Sequence, residues 1–257
     1  MLLKNKNAVI YGAGGSLGSA IARAFAKEGA HVFLAGRTLA PLEIVAAAIR
    51  NAGGMAESAM LDATDEKAVN NYTAGIAAKA GGIDVSFCAI AMYPVQGIPL
   101  YEMTLEDFMN PIKIGMQAQF ITARAAATHM IKKGSGVILS LTATPGGIAY
   151  PKTGGFGVVC NAMEGFSRNL AAELGPKGIR VVNMRSAGSL DSAVFKNAAI
   201  NNNVLAKTRF DELENDTMLK RLPLMQEIAS VAVFLVSDMA SAMTGTTANI
   251  TCGTTMD

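Results

Sequence analysis

Tyr11-Gly12-Ala13-Gly14-Gly15-Ser16-Leu17-Gly18 is the stretch on which the fold turns. Apolar residues 8–11 lead into it as a short buried strand, and residues 16–28 leave it with helical spacing of their apolar side chains. A glycine-rich turn between strand and helix lets backbone N–H groups approach a diphosphate, with the positive end of the helix facing the anion. In that setting Gly12 permits the tight turn and Gly15 and Ser16 sit where the backbone comes close. Leu17 follows at the helix start, and Gly18 lets helix and strand pack.

Working outward, the same rhythm repeats. Strand-like runs are predicted at 31–35, 55–61, 85–91, 137–141 and 181–184, with helical segments between them, the second over 39–51. Glycines end the helices at Gly29, Gly53-Gly54, Gly81-Gly82, Gly134 and Gly175 to Gly178. Strands alternating with helices call for a mostly parallel, doubly wound α/β sheet covered on both faces. No linker or repeat divides the 257 residues, so residues 1–257 are expected to form one domain. The polar stretch at about 189–222, with Asn201-Asn202-Asn203, is predicted to be a lid-like insertion.

Composition narrows the function. Hydrophobic residues make up 51% and charged residues 16%, which suggests surface covered by further subunits. The net charge of +2, spread along the chain, offers no basic stripe for nucleic acid. No apolar run is long enough for a bilayer, and the N-terminus lacks a signal-peptide pattern, so a cytoplasmic protein is expected. Cys88, Cys160 and Cys252 lack metal-ligand or disulfide spacing and read as reduced thiols; no metal is expected.

The end of the second strand decides the nucleotide. An acidic residue there would hydrogen-bond ribose hydroxyls, but the position holds Gly36, followed by Arg37 and Thr38. A guanidinium pairs with a 2′-phosphate where a carboxylate would repel it, so NADP(H) is expected over NAD(H). A solvated loop arginine is the alternative.

With these segments in view, the whole chain resembles the short-chain dehydrogenase/reductase family. The glycine turn is similar to that family's cofactor loop, and Leu61-Asp62-Ala63 resembles the segment whose acid and next residue contact adenine. Residues 169–181 resemble its long interface helix and sixth strand, and 227–253 its last helix and strand. Ala187-Gly188-Ser189-Leu190-Asp191-Ser192 stands where the family has its PGxIxT loop, and Cys88-Ala89-Ile90-Ala91 where it has NNAG. The resemblance implies a Rossmann-type seven-stranded sheet, a homotetramer or homodimer, and cofactor contacts from Ala89, Ile90, Ala91, Gly188 and Leu190 as well as the glycine turn.

It also implies a departure in chemistry. Alignment puts Phe156 at the family's tyrosine, Cys160 at its lysine, Ala143 at its serine and Gly115 at its asparagine. Phe156 has no proton to give and Cys160 carries no cation at neutral pH. Tyr150 and Lys152, six and four residues before Phe156, are the candidate replacements; a solvent-facing loop pair is the alternative. Thr142 and Thr144 flank the lost serine, Tyr93 borders the expected cleft, and Met92, Met103 and Met116 lie near it. His31 and His129 are expected away from the cleft. Two functions follow: an NADP(H)-dependent oxidoreductase with a non-standard site acting on a small, largely apolar substrate, or a catalytically silent nucleotide-binding protein serving as sensor, scaffold or partner subunit.

Overall fold

The computed structural model describes residues 1–193, 196 and 211–256. Seven parallel strands form one sheet in the order β3-β2-β1-β4-β5-β6-β7. They are β1 (Asn7–Tyr11), β2 (His31–Gly36), β3 (Met55–Met60), β4 (Val85–Cys88), β5 (Gly136–Ala143), β6 (Ile179–Ser186) and β7 (Thr246–Ile250). The principal helices are α1 (Ser16–Lys27), α2 (Leu39–Asn51), α3 (Glu66–Ala80), α4 (Leu105–Lys133), α5 (Gly155–Leu174) and α6 (Met225–Val236).

The two-residue alternation of strands explains the two cores. In β1, Ala8 and Ile10 face one cluster, with Phe25 of α1, Leu42 of α2 and Ala232 of α6. Val9 and Tyr11 face the other, with Val69 of α3, Ile121 of α4 and Ala171 of α5. The inner strands β1, β2, β4, β5 and β6 are therefore buried on both faces, as a parallel sheet demands, while the edge strands β3 and β7 are partly exposed.

Helix ends follow local chemistry. Thr104 caps α4 by accepting from the Asp107 amide at 3.1 Å, and Lys132 and Lys133 sit in its last turn, where cations suit the helix dipole. Gly81 and Gly134 close α3 and α4 in the left-handed conformation, as the sequence predicts.

The strand at 85–91 is shorter than expected. β4 ends at Cys88, and Ala89 to Ala91, though apolar, leave the sheet to line a crevice. Of the lid expected at about 189–222, residues 194–195 and 197–210 lie outside the described residues. The flanking turn is anchored by Ser189, whose Oγ donates to the Pro223 carbonyl at 2.6 Å, and by the Met225 amide, which donates to Asp191 at 3.1 Å.

A buried polar network ties β5, β6 and α5 together. Arg185 Nη2 donates to Glu164 Oε2 at 2.7 Å and Nε to Oε1 at 2.9 Å, while the Thr142 hydroxyl donates to Oε1 at 2.8 Å. Asn183 donates to Thr142 and accepts from Ser140, each at 2.8 Å. Both charges are buried, so each holds the other in place. Arg185→Met, which leaves the buried Glu164 carboxylate without its cation, is expected to cost about 3–5 kcal/mol. The double variant Glu164→Leu/Arg185→Met is expected to recover most of that loss in urea unfolding. Equal losses in single and double variants would contradict the pairing.

Candidate functional site

The strand order reverses between β1 and β4: the chain lays β2 and β3 to one side of β1, then crosses to lay β4 on the other. Such a reversal leaves a crevice outside the strand ends, because the following connections diverge. Here it holds a cavity of about 520 Å³ lined by Gly12, Gly14 and Gly15, by Arg37 and Thr38, by Asp62 and Ala63, and by Ala89, Ile90 and Ala91.

The glycine turn is shaped by contacts that no side chain would survive. Gly12 takes a left-handed φ of 76°, and a methyl group there would strike the carbonyl oxygen of Ala89. A methyl group at Gly18 would strike the carbonyl oxygen of Gly12 and the Cα of Ala13. Gly12 donates to the Ala35 carbonyl at 2.8 Å and accepts from the Gly15 amide at 3.1 Å, which closes the turn. Helix α1 then starts with no side-chain cap and no acidic residue in its first turn. Its first amides, which have no partner within a helix, are left for an anion. This cradle fits a nucleotide diphosphate.

Not every expected contact faces the cavity. Gly18 is buried against Gly12 and serves packing. Ser16 and Leu17 lie in the first turn of α1 outside the lining, and the Ser16 hydroxyl accepts from the Ala193 amide at 2.9 Å, linking the turn to the segment after β6. Gly188 and Leu190 follow β6 and are also outside the lining.

At the outer end, Arg37 Nη2 donates to the Tyr93 hydroxyl at 2.7 Å. Asp62 accepts from both the amide (2.9 Å) and the hydroxyl (2.7 Å) of Thr64, and these two bonds hold its carboxyl below its ordinary pKa.

The expected replacement pair is not assembled as a pair. The Tyr150 hydroxyl is buried and has no hydrogen-bond partner, whereas Lys152 is exposed in a left-handed turn with φ of 61°. Lys152 therefore does not hydrogen-bond the phenol. Cys160 is buried on α5, and burial pushes its thiol up to about 11; Cys88 is raised to about 11 for the same reason. Gly115 lies where a side chain would meet Met92 Sδ at 2.6 Å and Val159 at 2.8 Å. Ala143 ends β5 and Phe156 lies in the first turn of α5. His31 stands at the opposite end of the sheet, 3.2 Å from Glu57. Among the described residues there is no cluster suited to a metal ion, and no helix is long and apolar enough to cross a membrane.

Comparison with known proteins bears on this geometry. Residues 12–255 match the protein family described as enoyl-(acyl carrier protein) reductase. The chain is 30% identical over 244 residues to the uncharacterized oxidoreductase YxbG of Bacillus subtilis (strain 168), covering 95% of this chain and 88% of that one. Its fold is similar to a short-chain type dehydrogenase/reductase from Mycobacterium marinum, with TM-score 0.87 and 27% identity over 99% of this chain and 97% of that one. NAD+-bound xylitol dehydrogenase is similar at TM-score 0.89 and 25% identity, covering 97% and 99% of the two chains. A structure from Beutenbergia cavernae with NADP bound at low occupancy is similar at TM-score 0.85 and 26% identity, covering 98% and 97%.

Buried thiols with raised pKa values should resist disulfide reagents. In the folded protein Ellman's reagent is expected to modify no thiol beyond the partly exposed Cys252, and all three once the chain is unfolded. Rapid labelling of Cys160 in the folded state would contradict its burial.

Proposed function

The chain belongs to the short-chain dehydrogenase/reductase family of oxidoreductases, and on that premise we propose that it binds NADP(H) and moves hydride to or from a small, largely apolar substrate. The carrying observation is the crevice at the end of β1, where Gly12 and the uncapped start of α1 offer backbone amides to a diphosphate. When bound, the dinucleotide supplies or accepts hydride at its nicotinamide ring.

The chain's own residues do the rest. Gly12, Gly15 and the first turn of α1, with Ser16 and Leu17, seat the diphosphate. Arg37 and Thr38 meet the 2′-phosphate, and Gly36 stands where an acid would repel it. Asp62 and Ala63 border the adenine, Ala89 to Ala91 the adjoining ribose, and Gly188 and Leu190 the nicotinamide end. Similar structures hold NAD+ in one case and NADP in another, so the preference rests on Arg37.

Proton supply is where this reading departs from the family's usual chemistry. Phe156, Cys160, Ala143 and Gly115, at the positions that the resemblance assigns to it, offer neither a phenol nor an ammonium group. The Tyr150 hydroxyl, buried without a partner, is the assigned proton donor, with Lys152 left outside its hydrogen bonds. A site weak in proton donors suits a conjugated alkene or an iminium better than a ketone. The description of the matched family as an enoyl reductase supports the alkene. Exposed Phe120 and Ile131 on α4 and Val158 on α5 support a homodimer or homotetramer.

The exposure of Lys152, away from the Tyr150 hydroxyl, favours a second reading, in which the chain binds the nucleotide without turnover as a sensor, scaffold or partner subunit. Titration followed by calorimetry separates the readings. NADPH is expected to bind about tenfold or more tightly than NADH, as one charge-assisted pair provides. A screen over enones, imines and ketones is expected to show turnover with enones or imines, abolished in Tyr150→Phe with NADPH affinity unchanged. NADPH binding with no turnover would establish the silent reading, and binding of neither nucleotide would overturn both.

A further inference from the structure

Arg37 follows β2 and Tyr93 follows β4, the two strands that flank β1, so a contact between them spans the crevice over the glycine turn. The contact has two parts. Nη2 donates to the Tyr93 hydroxyl at 2.7 Å, and the guanidinium carbon lies 5.5 Å from the centroid of the same ring. Both residues also line the cavity.

Tyr93 is held in an unusual way for this contact. It takes a left-handed φ of 49°, which a residue with a bulky ring adopts only when its surroundings enforce it. Its ring is 59% exposed, so burial of the ring does not account for that conformation. Arg37, for its part, makes no ion pair among the described residues. Asp62 lines the same cavity, yet its carboxylate accepts from Thr64 and forms no salt bridge with Arg37. The guanidinium is thus fixed in place by a neutral hydrogen-bond partner, with Asp62 acting on it across the cavity but not in contact.

Fixing without neutralising is what a phosphate-reading arginine needs. A free arginine gives up the rotamer freedom of a long side chain when it meets an anion, and one already bridged has given it up beforehand. One Nη2 hydrogen is spent on Tyr93, which leaves Nε, Nη1 and the second Nη2 hydrogen for a bidentate pair. We propose that Tyr93 is a specificity-determining positioning residue, which holds the Arg37 guanidinium across the cavity mouth and thereby sets the preference for a 2′-phosphorylated dinucleotide over its unphosphorylated counterpart. The proposal rests on the nucleotide-binding reading above and deepens it.

A double-mutant cycle on binding tests it. NADPH and NADH are titrated into the unmodified protein, Tyr93→Phe, Arg37→Ala and the double variant, with 2′,5′-ADP and 5′-AMP as probes that lack the nicotinamide. Circular dichroism checks that each variant is folded. Tyr93→Phe, which keeps the ring, is expected to weaken NADPH and 2′,5′-ADP about three- to tenfold and to leave NADH and 5′-AMP within about twofold. Arg37→Ala is expected to remove the preference, and Tyr93→Phe to add nothing in that background. A Tyr93→Phe protein with an unchanged NADPH to NADH ratio, or equal loss in the double variant's two steps, overturns the proposal while the nucleotide site stands. An unmodified protein that favours NADH also overturns it. Failure of the unmodified protein to bind any of the four probes overturns the site reading itself, a result visible before any variant is made.

Discussion

Close approach of two backbones, at Gly12 and Ala89, governs the architecture at the centre of this protein. The β1 turn and the chain leaving β4 meet where neither has a side chain to spare, and Gly18 brings α1 down onto the same turn. From that crossing the rest follows. Gly14 and Gly15, which lead into α1, line the crevice, the strand order reverses there, and the connections after β2, β3 and β4 are brought around one cavity. A larger residue at either glycine would push the loops apart, and the seat for an anion would open with them.

The machinery behind this seat is rigid in a different way. Glu164 and Arg185 are buried between α5 and β6 and linked through Thr142 and Asn183 to Ser140. Charges sunk this deep add little net stability, but a misplaced partner is costly, so they fix the relative position of the elements that carry them. Gly146 and Gly147 lie against this pair, too close for any side chain. The loop from β5 to α5, which carries Tyr150 and Lys152, therefore starts from a fixed base.

Much of this was legible in the chain itself because the relevant signals are local. The glycine turn, the alternation of strand and helix and the helix-ending glycines each depend on a few neighbouring residues. Local pattern misled at Ala89 to Ala91, whose apolar character reads as strand but serves a loop that must approach Gly12 closely. Nor does sequence spacing show that Tyr150 and Lys152, two residues apart, differ so much in burial, one hydroxyl being buried and the lysine, in a left-handed conformation, exposed. Contacts over long separations were beyond its reach. Arg37 and Tyr93 were each visible singly, but their meeting follows only from the order of β2, β1 and β4. Nothing in the run of β6 marks Arg185 as a buried charge with its partner on α5.

On the reading proposed above, the crevice between the ends of β1 and β4 seats a dinucleotide by its phosphates. A crystal structure grown with NADPH tests this most directly. Density for the diphosphate is expected against the amides that open α1, within hydrogen-bond distance of the Gly15 to Leu17 backbone. NADPH bound elsewhere on the molecule, or a crevice without nucleotide at saturating concentration, would contradict it.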